Sequence, residues 1–177
     1  MRRIIFISLL LFSVQAAAVD LPNFASGPLI NEYGKHTAAP STSVGESSKF
    51  KIAFDVAKGA EAGEVNRQFD SLARFINMHV AAGVPKENIE LALIVHGRAS
   101  MDLLDNVTYQ KVHSKDNPNI ELLNILMKNQ VQVLLCGQTA GAYEIRPEQL
   151  VEGVIVELSA MTAHALLQQQ GYTVNPF

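Results

Sequence analysis

The sequence predicts a three-layer α/β sandwich around a mostly parallel central sheet of about five strands. Three observations predict it. Strand-like runs alternate with helix-like runs, the links between them are short, and the run "IELALIVHG" (residues 89–97) is apolar on both faces. Alternation with short links implies β-α-β units with right-handed crossovers. A strand apolar on both sides belongs in the middle of a sheet covered by helices on both faces.

The elements follow in chain order. In "KFKIAFDVA" (49–57), Phe50, Ile52, Phe54 and Val56 alternate with Lys51, Ala53 and Asp55, the two-residue period of a strand. "KGAEAGE" (58–64) breaks that period and opens a helix. Val65, Phe69, Leu72, Ile76 and Val80 then recur at spacings of four, three, four and four, one apolar helical stripe. Gly83 ends the helix and Pro85 follows it. After the strand "IELALIVHG" comes a helical piece, "ASMDLLDN" (99–106), and a polar loop, "VTYQKVHSKD" (107–116). "NPNIELLNILMKN" (117–129) is a helix with Asn117 as candidate N-cap and Pro118 at the first helical position, where its missing N–H costs nothing. Its Leu122, Leu123, Ile125 and Leu126 are core. The strand "VQVLLC" (131–136) follows, then a turn at "RPEQL" (146–150), a strand in "GVIVELS" (153–159) and the helix "AMTAHALLQQQ" (160–170) closed by Gly171. The tail "YTVNPF" (172–177) adds an edge strand, a place where Pro176 is tolerated.

Ahead of the first strand lie two segments of different character. Arg2 and Arg3, the apolar run "IIFISLLLFSV" (4–14) and "AAA" (16–18) read as a signal peptide, residues 1–18, cleaved after Ala18. The apolar run is too short for a spanning helix; an uncleaved anchor is the alternative. Residues 19–48 are rich in Pro, Gly, Ser and Thr and read as an extended arm or linker, either mobile or docked through Phe24, Leu29, Ile30 and Tyr33. Residues 49–177 form the α/β domain. Export implies a periplasmic or secreted protein in an oxidising compartment.

Removing residues 1–18 leaves 159 of 177, enough for one domain with its own core, and takes the formal charge from −3 to −5 through the loss of two arginines. That balance argues against nucleic acid, which needs clustered Lys and Arg. No second segment approaches membrane-spanning length, so no stable span is expected after cleavage. One cysteine cannot form an intrachain disulfide, so the fold rests on apolar burial.

Two residues able to do chemistry end neighbouring strands. His96 closes "IELALIVH" and Cys136 closes "VQVLLC", each followed by a glycine, Gly97 and Gly137. Ligands of open parallel sheets gather at the carboxyl ends of the strands, and parallel crossovers aim both strand ends at one edge. The run after Cys136 offers the backbone N–H groups of Gly137, Gln138 and Thr139 without bulky side chains in the way, and a strand-end thiol facing such donors would have its pKa lowered. Position alone admits two readings, a reactive thiolate or a small buried hydrophobe. His96 admits two as well, a partner of the cysteine or a ring bonded to nearby backbone. A metal is not expected: His36, His79, His96, His113 and His164 show no ligand spacing and there is no second cysteine. Nor is a cofactor, since Gly97, Gly137 and Gly141 make no phosphate loop. Asp102 and Asp105, three apart, read as a solvated helix face rather than an acid–base pair.

The stretches "FKIAFDV", "RFINMHVAAGV", "IVHGRASMDLL", "NPNIELLNILMKNQVQVLLCGQTA" and "LSAMTAHALLQQQGYTVNPF" resemble the DsrE/DsrF-like family, in its exported branch. The resemblance implies a DsrEFH-like sandwich assembled as a homo-oligomer, a trimer or hexamer. It also implies a sulfur relay: a strand-end cysteine that carries sulfane sulfur as a persulfide between donor and acceptor. That role falls on Cys136, with His96 of the "HG" element beside it, as a sulfur carrier or sulfurtransferase. Relay members act in the reducing cytoplasm, and this chain departs from them in carrying an export signal. The competing expectation is a non-catalytic ligand-binding or scaffold module in which Cys136 only packs. A hydrolase or nucleotide-dependent oxidoreductase lacks the motifs.

Overall fold

The computed structural model describes residues 23–39 and 43–176. The expected signal segment and its cleavage point, together with residues 19–22, 40–42 and Phe177, lie outside the described residues. Five strands, β1 (Phe50–Val56), β2 (Ile89–Val95), β3 (Gln132–Cys136), β4 (Ile155–Glu157) and β5 (Thr173–Pro176), form one sheet in the order β4-β3-β2-β1-β5. Every pairing is parallel. The expected "mostly parallel" sheet is wholly so, because each connection that crosses back carries a helix.

The helices are α1 (Arg67–Ala81), α2 (Asn106–His113), α3 (Asn119–Lys128), α4 (Gly137–Ala142) and α5 (Ala160–Gln169). α1 and α3 cover one face. Phe69, Leu72 and Ile76 of α1 and Leu122, Leu123 and Leu126 of α3 pack there against Phe54, Val56, Leu91, Leu93, Val133 and Leu135. Each such side chain contributes about 1.5–3 kcal/mol of transfer free energy when fully buried. The opposite face carries Ala53, Ala92, Ile94 and Leu134 under Ala163 and Leu167 of α5. The two-residue period therefore sorts side chains into a thick layer and a thin one.

Residues 23–39 are docked rather than mobile. Ile30 is buried in the main core, its N–H donates to Asn77 Oδ1 (2.9 Å), and Asn77 Nδ2 donates back to the Ile30 carbonyl (2.8 Å). Gly34 N–H donates to Asp70 Oδ1 at 2.7 Å. The arm thus straps the outer side of α1.

Several local expectations are corrected. α1 starts at Arg67, with Asn66 as N-cap accepting from Gln68 N–H, and 58–66 is a turn segment. The piece after His96 is a 3-10 helix, Gly97–Leu103. The polar stretch expected as a loop holds α2, capped by Asp105, whose carboxylate accepts from Thr108 N–H, and ended by left-handed Ser114. Only Tyr109 of α2 is buried, so no apolar stripe announced it. Pro118 lies at the cap of α3, while the Asn117 side chain accepts from Asn119 N–H. β4 is three residues long, with Ile155 and Val156 exposed.

Asp102 is the largest correction. It is buried, not solvated, and accepts from Ala60 N–H (2.9 Å) and Asn66 Nδ2 (2.7 Å). Burial outweighs these donors and pushes its carboxyl above the ordinary value. Asp105 is the helix cap instead of its acidic partner.

Candidate functional site

The site forms where the carboxyl ends of β1, β2 and β3 meet the start of α5. Along β1 the alternation that sends Phe54 and Val56 to the thick layer sends Ala53 and Asp55 to the α5 side. The same rule places His96 after Val95 of β2 and Cys136 after Leu135 of β3 on that side. Asp55, His96, Cys136, Thr139, His164 and Met161 line one cavity of about 280 Å³. A larger depression of about 640 Å³ between Asn106 and Lys128 holds neither thiol nor imidazole, and one of about 360 Å³ beside His36 and His79 holds no thiol.

Cys136 ends β3 and is the N-cap of α4, so the strand gives out directly into a helix. The thiol is free and buried, 7% exposed. Burial alone would push its pKa up. The N–H groups of Thr139 and Ala160, the Thr139 hydroxyl and the Gln138 N–H outweigh that and hold it below its ordinary value. Two helix starts therefore converge on one sulfur: α4 supplies Gln138 and Thr139, and α5 supplies Ala160. The Thr139 oxygen accepts from Gly97 N–H at 3.3 Å, which leaves its own proton for the sulfur. Gly97 thus reaches the cysteine through one hydroxyl. It has φ +55°, and a Cβ there would sit 3.1 Å from the Ala57 carbonyl. Gly137 is needed for closeness: a Cβ would come 2.6 Å from the Glu157 carbonyl on β4. The Gln138 side chain donates to the Leu158 carbonyl at 3.1 Å.

The second half of the site is a carboxylate shared by two imidazoles. Asp55 Oδ1 accepts from His164 Nε2 at 2.8 Å, and Oδ2 accepts from His96 Nε2 at 3.2 Å. Burial would raise the Asp55 carboxyl, but these bonds and the charge of the rings hold it below its ordinary value. The hydrogen bonds of both rings go to Asp55, and the donors that acidify Cys136 are amides and a hydroxyl. The cavity lies between the rings and the sulfur.

The structure thus brings together Cys136, His96, Gly97, Gly137, Gln138 and Thr139. Sequence reasoning missed Asp55, His164, Ser159 and the Ala160 amide. Asp55 was available to the same strand-end rule that found His96 and Cys136, since it is the last α5-side residue of β1. Ser159 caps α5, accepting from Thr162 N–H at 3.0 Å, and His164 stands one turn beyond Ala160. No group of three or more His, Cys, Asp and Glu among the described residues could hold a metal ion. No helix among them is long and apolar enough to cross a membrane.

The DsrE/DsrF-like family model matches residues 51–176, the whole of the sheet and its helices. The chain belongs to the DsrE/DsrF-like family. Its fold recurs in MTH1491, a protein of unknown function from Methanobacterium thermoautotrophicum, at TM-score 0.56 and 14% identity, covering 73% of this chain and 100% of that one. The E. coli ychN protein is similar at TM-score 0.52 and 22% identity, covering 72% and 99%. No curated protein matches the chain. At these identities the two neighbours establish the α/β fold alone; the family suggests a sulfur-relay-related role.

Proposed function

We propose that this DsrE/DsrF-like protein carries sulfane sulfur as a persulfide on Cys136, outside the cytoplasm, between a donor and an acceptor. One observation carries the reading. A cysteine buried at a strand end is acidified against its own burial by amides from two helices, and it opens on a cavity shared with two imidazoles. Only a thiolate attacks a sulfane sulfur, and the persulfide anion that results would be held by the same N–H groups. The cavity admits a small sulfur compound or the end of a donor chain. Met161, 79% exposed in the cavity lining, and Leu158, 67% exposed beside Ser159 in the chain, are apolar surface suited to a protein contact or to a homo-oligomer, trimer or hexamer. The basic start and apolar run of residues 2–18 support export.

The test is direct. After incubation with a sulfane-sulfur donor, intact mass should show one added sulfur atom on the wild type and none on Cys136→Ser. An unmodified wild type whose Cys136 alkylates at an ordinary rate would leave the packing role as the better account.

A further inference from the structure

We propose that Asp55, His96 and His164 form a proton-delivery unit aimed at the leaving sulfur of the donor, in which His96 moves the proton and Asp55 and His164 position it. The proposal rests on the sulfur-transfer reading of Cys136 and adds what the rest of the cavity does.

Division of labour comes first. The cysteine already has its donors in the Thr139, Ala160 and Gln138 amides and the Thr139 hydroxyl. Both imidazoles instead give Nε2–H to the two oxygens of one carboxylate. That fixes each ring in the tautomer whose Nδ1 carries a lone pair. A group that is not needed to ionise the thiol, yet is oriented so firmly across the cavity from it, serves what sits between them.

The two rings are not equivalent. His164 Nδ1 is one of two buried side-chain polar atoms among the described residues without a partner, the other being Arg74 Nε. A lone pair left bare there costs less than a buried, unpaired N–H would. His164 therefore acts as a fixed donor to Asp55, at the shorter distance of 2.8 Å. His96 is the looser partner at 3.2 Å, its side chain is 33% exposed, and its Nδ1 is not among the buried unpartnered atoms. His96 is the ring that can gain and lose a proton in the cavity.

The step balances without a further reactant. The Cys136 thiolate attacks the terminal sulfur of a hydropersulfide, R–S–SH. A bond from Sγ to that sulfur forms, the R–S–S bond breaks, and its electron pair leaves on RS⁻. His96 Nδ1 takes the proton from the transferred S–H and hands it to RS⁻. Thiolate and hydropersulfide thus become protein persulfide anion and free thiol, with no net oxidation and His96 as it began. A poor leaving thiolate needs that proton; a good one does not.

The titratable groups facing His96 and His164 are Asp55 from β1 and Cys136 from β3. β4 adds Glu157, beside Cys136 in the register, whose carboxylate accepts from Leu158 N–H. β5 contributes Thr173, Val174 and Asn175, none of them charged.

The experiment uses the full chain and two uncharged disulfides, 2-hydroxyethyl disulfide and bis(4-nitrophenyl) disulfide, alongside cysteine hydropersulfide. A disulfide has no S–H, so with it the proton that His96 hands to RS⁻ is one taken up from water beforehand. General acid–base assistance is worth about 10²–10⁴-fold. His96→Gln and Asp55→Asn should therefore slow the alkyl disulfide and the hydropersulfide by about 100-fold, and flatten the alkaline limb of the alkyl pH profile. The nitrophenyl disulfide should slow by less than about threefold in the same variants, because its thiolate leaves unprotonated. His164→Gln, whose amide can still donate to Asp55, should retain several times the alkyl rate of His164→Leu. Equal slowing with both disulfides, or no slowing with either, overturns the proposal. So does a His164→Gln variant as impaired as His96→Gln. If the wild type never gains sulfur from the hydropersulfide, the persulfide reading fails, while the contrast between the two disulfides still decides proton delivery.

Discussion

The sheet face under α1 and α3 and the face under α5 differ in thickness, and they differ in the same way in chemistry. The first is filled with large aliphatic and aromatic side chains from two helices, of fifteen and ten residues, and is strapped on the outside by residues 23–39. The second has one ten-residue helix over Ala53, Ala92, Ile94 and Leu134, and its upper end is polar: Asp55, His96, Cys136, Ser159 and His164. Small residues on the strands let α5 approach closely enough for Ala160 to reach the cysteine. The lesson is a separation of tasks. Apolar burial holds the sheet from one side, so the other side can afford buried polar groups at its edge.

That contrast can be broken experimentally, beginning where the effect is largest. Phe69→Ala opens a cavity in the thick layer and should cost about 3–5 kcal/mol by denaturant unfolding. Leu167→Ala, on the thin layer beside a surface able to relax, should fall near the low end of the range for such truncations, about 2 kcal/mol. Similar costs at both positions would mean that the two faces share the load equally.

Gly137→Ala sharpens the comparison at the site itself. The added methyl meets the Glu157 carbonyl, so the start of α4 must move away from β4. A loss of about 1–3 kcal/mol is expected from overpacking. More telling is the direction of the thiol: with the α4 amides displaced, the Cys136 pKa from pH-dependent alkylation should rise toward the free-cysteine value of about 8.5. An unchanged thiol pKa would show that α5 alone acidifies it.

The smallest expected effect compares the two carboxylates. Asp55 lies on the site side with two imidazoles and is held below its ordinary value; Asp102 lies on the other side with neutral donors and is pushed above it. For Asp102 the unfolded chain ionises first, so stability is fully present below the ordinary carboxylate range. It is lost as pH rises through the interval up to the raised folded value. Asp102→Asn keeps an acceptor oxygen for Ala60 and Asn66 and removes the charge. Its melting temperature should gain on the wild type between about pH 4 and neutrality, by the few degrees that about 1 kcal/mol produces. A constant difference across that range would show that Asp102 is not buried as an anion.

Much of this was legible in the sequence, for reasons that separate the residues that were seen from those that were not. β1 and α1 carry strong periods, β2 and β3 are short apolar runs, and α3 and α5 are bounded by Pro118 and Gly171. Both glycine-flanked strand ends were found because the parallel topology has only one ligand edge. α2 was hidden because it buries one residue, Tyr109, and is held by its Asp105 cap rather than by a stripe. Asp102 was misplaced because an acidic pair on an apparent helix looks solvated until the 58–66 turn folds over it. Asp55 sat among the polar residues of an alternating strand, and the hydrogen bond that gives it meaning comes from a residue 109 positions away.

That distance has a consequence for the life of the chain. Cys136 is synthesised well before Ala160 and His164, and Asp55 long before either. Until α5 docks, the sulfur lacks one of its amides and the carboxylate lacks its firmer partner, so a nascent or partly unfolded chain bears a thiol with fewer of the donors that acidify it. The full set of donors to the sulfur arrives with the closing of the fold, and part of it is withdrawn whenever that helix lifts away.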